Sequence, residues 1–247
     1  MTIDEYDPLT LPADGFSMIF IGARRQGKTF LLTEMLYKLS EHRKWDVVFL
    51  FSETAVVQDA YHFVPDQFKY DHLDEKVIKR ILQKQEQMKD HNNRSDEPDQ
   101  VKMPRVLIIA DDVINDRKVR TGVVNRLFTQ GRHYGIDCVF LSQSIVGMHP
   151  KSRANSDLIV FFRSIARRER EFFVESYLTV RDSRQARTEG NDLMLEVFST
   201  PYCAVIVDVA KSINARELND YVFKYCATSG GTPEFQLGHP KFWDEIE

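Results

Sequence analysis

The chain has 247 residues, 43% of them hydrophobic and 28% charged, with a formal net charge of −4. That size and apolar content suit one large globular domain, or a domain with an appendage. The slight acidity gives no global sign of nucleic-acid binding, and no apolar stretch approaches the roughly 20 residues needed to cross a bilayer.

The first residues, Met1 to Asp7, are acidic and lack a signal-peptide pattern. Residues 1–15, with Pro8, Pro12 and Gly15, read as an irregular lead-in. A short apolar run, Phe16 to Ile21, predicts a buried strand. Gly22-Ala23-Arg24-Arg25-Gln26-Gly27-Lys28-Thr29 follows, and then Phe30 to Leu39 with apolar residues at helical spacing. Val47 to Phe51 predicts a second strand. Leu73 to Lys89 predicts a helix, and residues 90–100 a polar loop. Val106 to Ala110 is a third strand, Arg117 to Gln130 a helix ended by Gly131, and Ile136 to Leu141 a fourth strand. Leu158 to Phe162 is a fifth strand. Helices over Arg167 to Leu178 and near Asp192 to Phe198 follow, then a sixth strand over Tyr202 to Val207.

Nearly all these strands are apolar and alternate with helices. This predicts an α/β fold in which a mainly parallel sheet is covered on both faces. The expected organisation is a lead-in (1–15), a nucleotide-binding domain (16–210) and a C-terminal extension (211–247). The three cysteines, Cys138, Cys203 and Cys226, are far apart and show no zinc spacing, so they read as buried free thiols in a reducing compartment.

Residues 22–29 match G-x-x-x-x-G-K-[ST] in full, between a strand and a helix. In such a P-loop the glycines let backbone N–H groups turn inward around phosphates. Lys28 then places a charge on the β- and γ-phosphates, and Thr29 offers a hydroxyl to Mg²⁺. The whole segment Gly22, Ala23, Arg24, Arg25, Gln26, Gly27, Lys28, Thr29 and Phe30 is the expected nucleotide-binding segment. No chemistry is assigned to the side chains of Arg24 and Arg25, which are expected to face solvent or a partner subunit.

The third strand ends in Asp111-Asp112. Strand ends in such a sheet converge on the ligand crevice, so Asp111 is expected near Thr29 as a Mg²⁺ ligand, direct or through water. Asp112 is the candidate base for the attacking water, or alternatively an N-cap. The fourth strand ends Leu141-Ser142-Gln143-Ser144, and the Gln143 amide can both donate and accept near the γ-phosphate. Arg132, in Gly131-Arg132-His133, reads either as a finger for a neighbouring subunit's ATP or as half of a local ion pair. Between Lys151 and Arg187 nine Lys/Arg stand against five Asp/Glu. That local excess fits an anionic partner, a subunit interface or a solvated helix face.

The P-loop, the Asp-Asp strand end, the run Leu127 to Ile136 and the run Phe140 to Ser144 together resemble the FtsK–HerA superfamily of P-loop ATPases. They are most similar to the genome-packaging ATPases of nucleocytoplasmic large DNA viruses and virophages, the poxvirus type. The resemblance spans residues 16–165, with less specific agreement to about 210. It implies a RecA/FtsK-like P-loop NTPase fold and ATP hydrolysis with Mg²⁺ coupled to translocation of double-stranded DNA into a capsid. It also implies a homo-oligomeric ring, hexameric or pentameric, a capsid, portal or inner-membrane partner, and a location in the host-cell cytoplasm (the virus factory) or the virion. By the same resemblance Lys28, Asp112 and Gln143 are catalytic, Asp111 and Thr29 hold the metal, and Arg132 acts in trans. Asp112 departs from the glutamate frequent in relatives.

A nucleotide or nucleoside kinase, with Arg163, Arg167, Arg168 and Arg170 as a phosphate-clamping lid, is the alternative. A GTP switch lacks an Asn-Lys-x-Asp motif. A scaffold that binds ATP without hydrolysing it would differ only in turnover. A strand-separating helicase lacks room for a second lobe in 247 residues.

Overall fold

A computed structural model of the chain describes residues 3–54, 59–96, 99–112, 122–180, 183–228 and 230–243. Eight strands form one sheet: β1 (Ser17–Ile21), β2 (Val47–Ser52), β3 (Lys69–Tyr70), β4 (Val106–Asp111), β5 (Ile136–Ser142), β6 (Leu158–Phe161), β7 (Cys203–Asp208) and β8 (Val222–Cys226). Their order is β3-β2-β4-β5-β1-β6-β7-β8. The strands from β3 to β6 pair in parallel, and β7 runs antiparallel to both β6 and β8. The helices are α1 (Lys28–Ser40), α2 (Glu75–Arg94), α3 (Gly122–Gln130), α4 (Pro150–Ala154), α5 (Arg167–Tyr177), α6 (Arg184–Val197) and α7 (Val209–Ser212).

Alternation along the strands divides the core in two. Met18 and Phe20 of β1 pack with Leu31, Leu32, Met35 and Leu36 of α1. Ile19 and Ile21 point the other way, into a cluster with Ile78 and Leu82 of α2, Leu127 of α3, Phe173 of α5 and Leu193 of α6. Because both faces are covered, the central strands carry continuous apolar runs, with polar residues such as Ser17, Asp137, Asp111 and Ser142 at or near their ends, as expected of a parallel sheet.

The register is held at the strands' N-terminal ends by a carboxylate with no exposed surface. Asp137 of β5 accepts from Phe16 N (2.9 Å) at the entrance to β1 and from Trp45 Nε1 (2.6 Å) just before β2. Arg105, just before β4, donates to both its oxygens, from Nε (2.8 Å) and Nη2 (3.1 Å). Arg43 adds a second positive charge at 3.7 Å.

Two sequence expectations are corrected. Residues 90–94 are helix, because α2 runs to Arg94 and its last turn is tied by Asn92, which exchanges hydrogen bonds with the backbone of Val101. Cys203 and Cys226 are not free thiols. They stand directly opposite in the β7–β8 register, with Cα atoms 4.0 Å apart, and are joined as a disulfide. Antiparallel pairing brings together positions 23 residues apart in the chain. Cys138 alone stays free, and burial pushes its thiol well above the usual value. The segment 211–247 supplies the edge strand β8, and residues 235–243 return to the connection between β2 and β3 and to Asp46 before β2. There Phe235 stacks on Phe63, and Leu237 N donates to Phe63 O (2.9 Å). The expected helix over 117–130 is seen from Gly122, and residues 113–121 lie outside the described residues.

Removing the charge of Asp137 leaves Arg105 and Arg43 without a buried counter-charge. Asp137→Asn is expected to cost about 3 kcal/mol or more, a fall in melting temperature of roughly 10 °C. A thermal melt within about 2 °C of wild type would show that this carboxylate does not hold the strand entrances together.

Candidate nucleotide site at the strand tips

Parallel strands deliver their C-terminal ends to one side of the sheet, so the tips of β1, β4 and β5 lie side by side. The loop between β1 and α1 is drawn in by Gly22 N, which donates to Ser142 O at the tip of β5 (3.0 Å). At Gly22 a Cβ would come within 2.7 Å of Phe162 Cβ, so no side chain fits. Gly27 opens α1 with φ +88°, a left-handed conformation that glycine adopts without strain. Lys28 is 6% exposed, and its Nζ donates to the carbonyls of Gly22 (2.8 Å) and Ala23 (3.2 Å). Burial lowers the Lys28 ammonium from its ordinary value, while the carboxylates of Asp112 and Asp111 work against that shift. Arg24 and Phe30 are exposed, and Arg25 takes a left-handed φ of +63°.

Asp111 ends β4 and is 8% exposed. It is bonded to a residue that sequence reasoning missed: Tyr61 Oη donates to Asp111 Oδ2 at 2.7 Å. Tyr61 is buried in the connection between β2 and β3, and the Thr29 hydroxyl lies near enough to favour its phenolate slightly. The phenol thus stands beside both residues expected to hold the metal and is bonded to Asp111. Burial and the neighbouring Asp111 charge push that phenol well above its ordinary value, so it stays a donor. Burial also raises Asp111, although the hydrogen bond from Tyr61 opposes this.

Asp112 leaves the strand with φ +53°, which turns its side chain away from the buried position of Asp111. Gln143 Nε2 donates to Asp112 Oδ1 at 3.0 Å, so these two predicted residues meet. Arg24 Nε approaches Asp112 Oδ2 at 4.0 Å from a largely solvated position, a weak contact. The loop after Gln143 is braced by Glu169 of α5, which accepts from Ser144 Oγ (2.7 Å) and Ile145 N (2.7 Å). Neither Tyr61 nor Glu169 carries a sequence signal. One is an aromatic in a connection, and the other lies in a helix of mixed charge.

Arg132 is not at this cluster. It precedes β5, whose seven residues span roughly 20 Å, at the opposite end of the sheet. Its charge there offsets part of the cost of burying Asp157. Within the basic segment 151–187, Arg153 donates to Ile145 O, Arg167 pairs with Glu171, Arg170 donates to Ser164 O and Arg187 pairs with Glu175. Much of that charge is therefore spent locally.

A glycine loop too tight for side chains, a buried lysine, a helix N-terminus and a buried carboxylate beside a threonine hydroxyl together fit a phosphate chain with a hard divalent cation. Among the described residues no group of three or more His, Cys, Asp or Glu forms a closed metal cage. Thr29 and Asp111 would share such a cation with phosphate oxygens.

The raised value of Asp111 has a pH consequence. Its neutral form favours folding, and that contribution is present below about pH 3.9 and is lost as pH rises through the raised value. Asp111→Asn should therefore melt above wild type near neutral pH, with the gap closing toward pH 4, while nucleotide turnover falls at least about 100-fold. Equal melting temperatures at pH 7 would show that the buried charge costs nothing.

The family described as Poxvirus A32 protein matches residues 4–217. An uncharacterized protein, L437, of Acanthamoeba polyphaga mimivirus is 23% identical over 235 residues, covering 92% of this chain and 80% of its own. An uncharacterized protein, 015R, of Frog virus 3 is 24% identical over 238 residues, covering 93% and 67%. Among solved structures, the genome packaging NTPase B204 of Sulfolobus turreted icosahedral virus 2, in complex with AMP, aligns with a TM-score of 0.57 at 13% identity, covering 87% of this chain and 98% of its own. The pCW3 conjugation coupling protein TcpA, in its monomer form with ATPgS, aligns at 0.58 and 13% identity, covering 87% and 60%. These two structures share the P-loop NTPase fold with this chain. Matched over most of its length, the chain belongs to the Poxvirus A32 protein family.

Proposed function

We propose that this chain is an ATP-hydrolysing motor subunit that moves double-stranded DNA into a viral capsid. It would work as a homo-oligomeric ring, hexameric or pentameric, in the infected cell or virion, against a capsid, portal or inner-membrane partner. The observation that carries the hydrolytic reading is the Asp112–Gln143 pair beside the P-loop. Family membership, and a fold shared with a protein described as a genome packaging NTPase, support the packaging role.

The residues divide the work. Backbone N–H groups of Gly22 to Gly27 and the α1 N-terminus hold the phosphates, and Lys28 places its charge on their terminal end. Thr29 and Asp111 would hold Mg²⁺, which would supply positive charge against the charge developing on the phosphates. Tyr61 fixes the direction of the Asp111 carboxylate through its hydrogen bond. Asp112 orients the attacking water and takes its proton. Gln143 holds Asp112 through its amide N–H and keeps its carbonyl oxygen to accept from that water. Of the four arginines that would form a kinase's acceptor lid, Arg167 is paired with Glu171 and Arg170 donates to Ser164 O, which counts against that alternative.

Arg132 lies too far from its own P-loop to serve it, so in this reading it completes the site of the next subunit. DNA is gripped largely through its phosphates, without sequence preference. Among the described residues no helix is long and apolar enough to cross a membrane.

Lys28→Ala is expected to lower ATP turnover at least about 100-fold. Double-stranded DNA should stimulate the wild type, with the effect fading as salt rises from about 50 to 200 mM. Turnover indifferent to DNA at every salt would remove translocation and leave an ATPase. Arg132→Ala should be inactive alone yet recover turnover when co-assembled with Lys28→Ala, because each subunit supplies what the other lacks. Verified mixed rings without recovery would remove the trans role.

A further inference from the structure

We infer that Tyr202 is the platform on which the purine base of the bound nucleotide stacks, within a base subsite formed by the α6–β7 connection beside the P-loop. The inference rests on the reading of Gly22–Thr29 as the phosphate site, and it adds where the nucleoside lies and what recognises it.

Strand order sets the direction of the nucleotide. The groups read as hydrolytic, Asp112 and Gln143, stand at the tips of β4 and β5, on one flank of β1. The terminal phosphate must face that flank. The chain of phosphates then runs across the loop, and the nucleoside emerges on the other flank, over β6 and β7.

A cavity of about 260 Å³ lies on that flank, between P-loop residues Arg25 and Gln26, Phe162 after β6, and the segment 198–203. That volume lies just below the usual range for whole small-molecule sites, as suits one that takes only part of a nucleotide. Tyr202 lines it and is 67% exposed. Its Cδ1 lies 3.7 Å from where a Cβ on Gly27 would stand, so the ring borders the loop that grips phosphate.

The conformation of Tyr202 is the second observation. Its φ is +59°, a left-handed backbone that a bulky L-residue rarely adopts. Glycine or asparagine would sit there without strain, and the side chain is not buried to compensate. Strain retained at an exposed aromatic points to use of the ring rather than to packing. The backbone is nevertheless held firmly. Ala227 N donates to Tyr202 O at 3.1 Å, and the next residue, Cys203, is tied to Cys226 across β7–β8. A fixed aromatic face, open on one side and bordering a phosphate loop, is what a base needs for stacking. No carboxylate lines the cavity, and its polar side chains include the guanidinium groups of Arg25 and Arg163 and the neutral groups of Gln26 and Thr200. The base is therefore held by its π-face on Tyr202, with the neutral and cationic donors around it left to meet the base edge or the sugar.

The test is a calorimetric titration of ADP, and separately of inorganic tripolyphosphate, into wild type, Tyr202→Phe, Tyr202→Ala and Tyr202→Gly. Tyr202→Ala is expected to bind ADP on the order of 10-fold more weakly, the loss of one base–aromatic stack, and Tyr202→Phe to bind like wild type. Tripolyphosphate, which has no base, should bind all four equally. Tyr202→Gly should lose ADP affinity as Tyr202→Ala does while melting at or above wild type, because glycine relieves the left-handed backbone; a weaker binder is then not a misfolded one. ADP affinity unchanged in Tyr202→Ala overturns the inference. Equal weakening of ADP and tripolyphosphate also overturns it, since the ring would then act only through the phosphate loop. Wild type that binds neither ligand, with Lys28→Ala indistinguishable from it, would overturn the phosphate reading itself, a pattern distinct from the other two.

Discussion

Asp137 accepts hydrogen bonds from the entrances of β1, β2 and β4 while sitting within β5, and it has no exposed surface. A buried carboxylate is tolerable only when its charge and lone pairs are met, and here two arginines and an indole meet them. The consequence is geometric. In a sheet with both faces buried, a slip of one residue turns every side chain to the wrong face. With four strand entrances tied to one group, the exits about 20 Å away arrive in step. The positions of Asp111, Asp112, Ser142 and Gln143 relative to the P-loop follow from that alignment.

At the exits the arrangement is asymmetric in charge. The buried side holds Lys28 and Asp111, both shifted by burial toward their neutral forms. The solvated side holds Asp112, Gln143 and Arg24, which are free to meet water. Groups that would bind a charged ligand are thus kept dry, and the group that would handle a proton is kept wet. The dry groups are costly to the folded protein by themselves, which is the expected relation between stability and a preorganised ionic site. The Tyr61 hydroxyl limits this cost by donating to Asp111, and in doing so it fixes the carboxylate's direction.

The α/β class, six of the eight strands and the P-loop were legible in the sequence because each is local. A fully buried parallel strand is a short apolar run, and a glycine loop between such a run and a helix has few alternatives. Asp111 and Gln143 were legible as strand ends. The edge strands escaped: β3 is two residues long and β8, Val222–Cys226, is half-exposed with Lys224 at its centre, so neither shows an apolar run. The disulfide escaped for the same reason, since its register belongs to the β7–β8 pairing and not to cysteine spacing. The end of α2 was hidden by a polar composition that suits a solvated helix as well as a loop.

By itself the sequence determined the sheet-forming runs, the loop that would hold phosphate, and the acids and amide at the ends of two strands, because periodicity and chain punctuation act over a few residues. The tertiary structure alone decided which side chains meet. It joined Tyr61 to Asp111 across 50 residues, Glu169 to Ser144 across 25, and Tyr202 to Gly27 on the flank opposite Asp112. It also set Arg132 at the far end of the sheet from its own P-loop. These are consequences of strand order and parallel register, which are fixed by burial and hydrogen bonding between distant segments and leave no trace in local residue pattern.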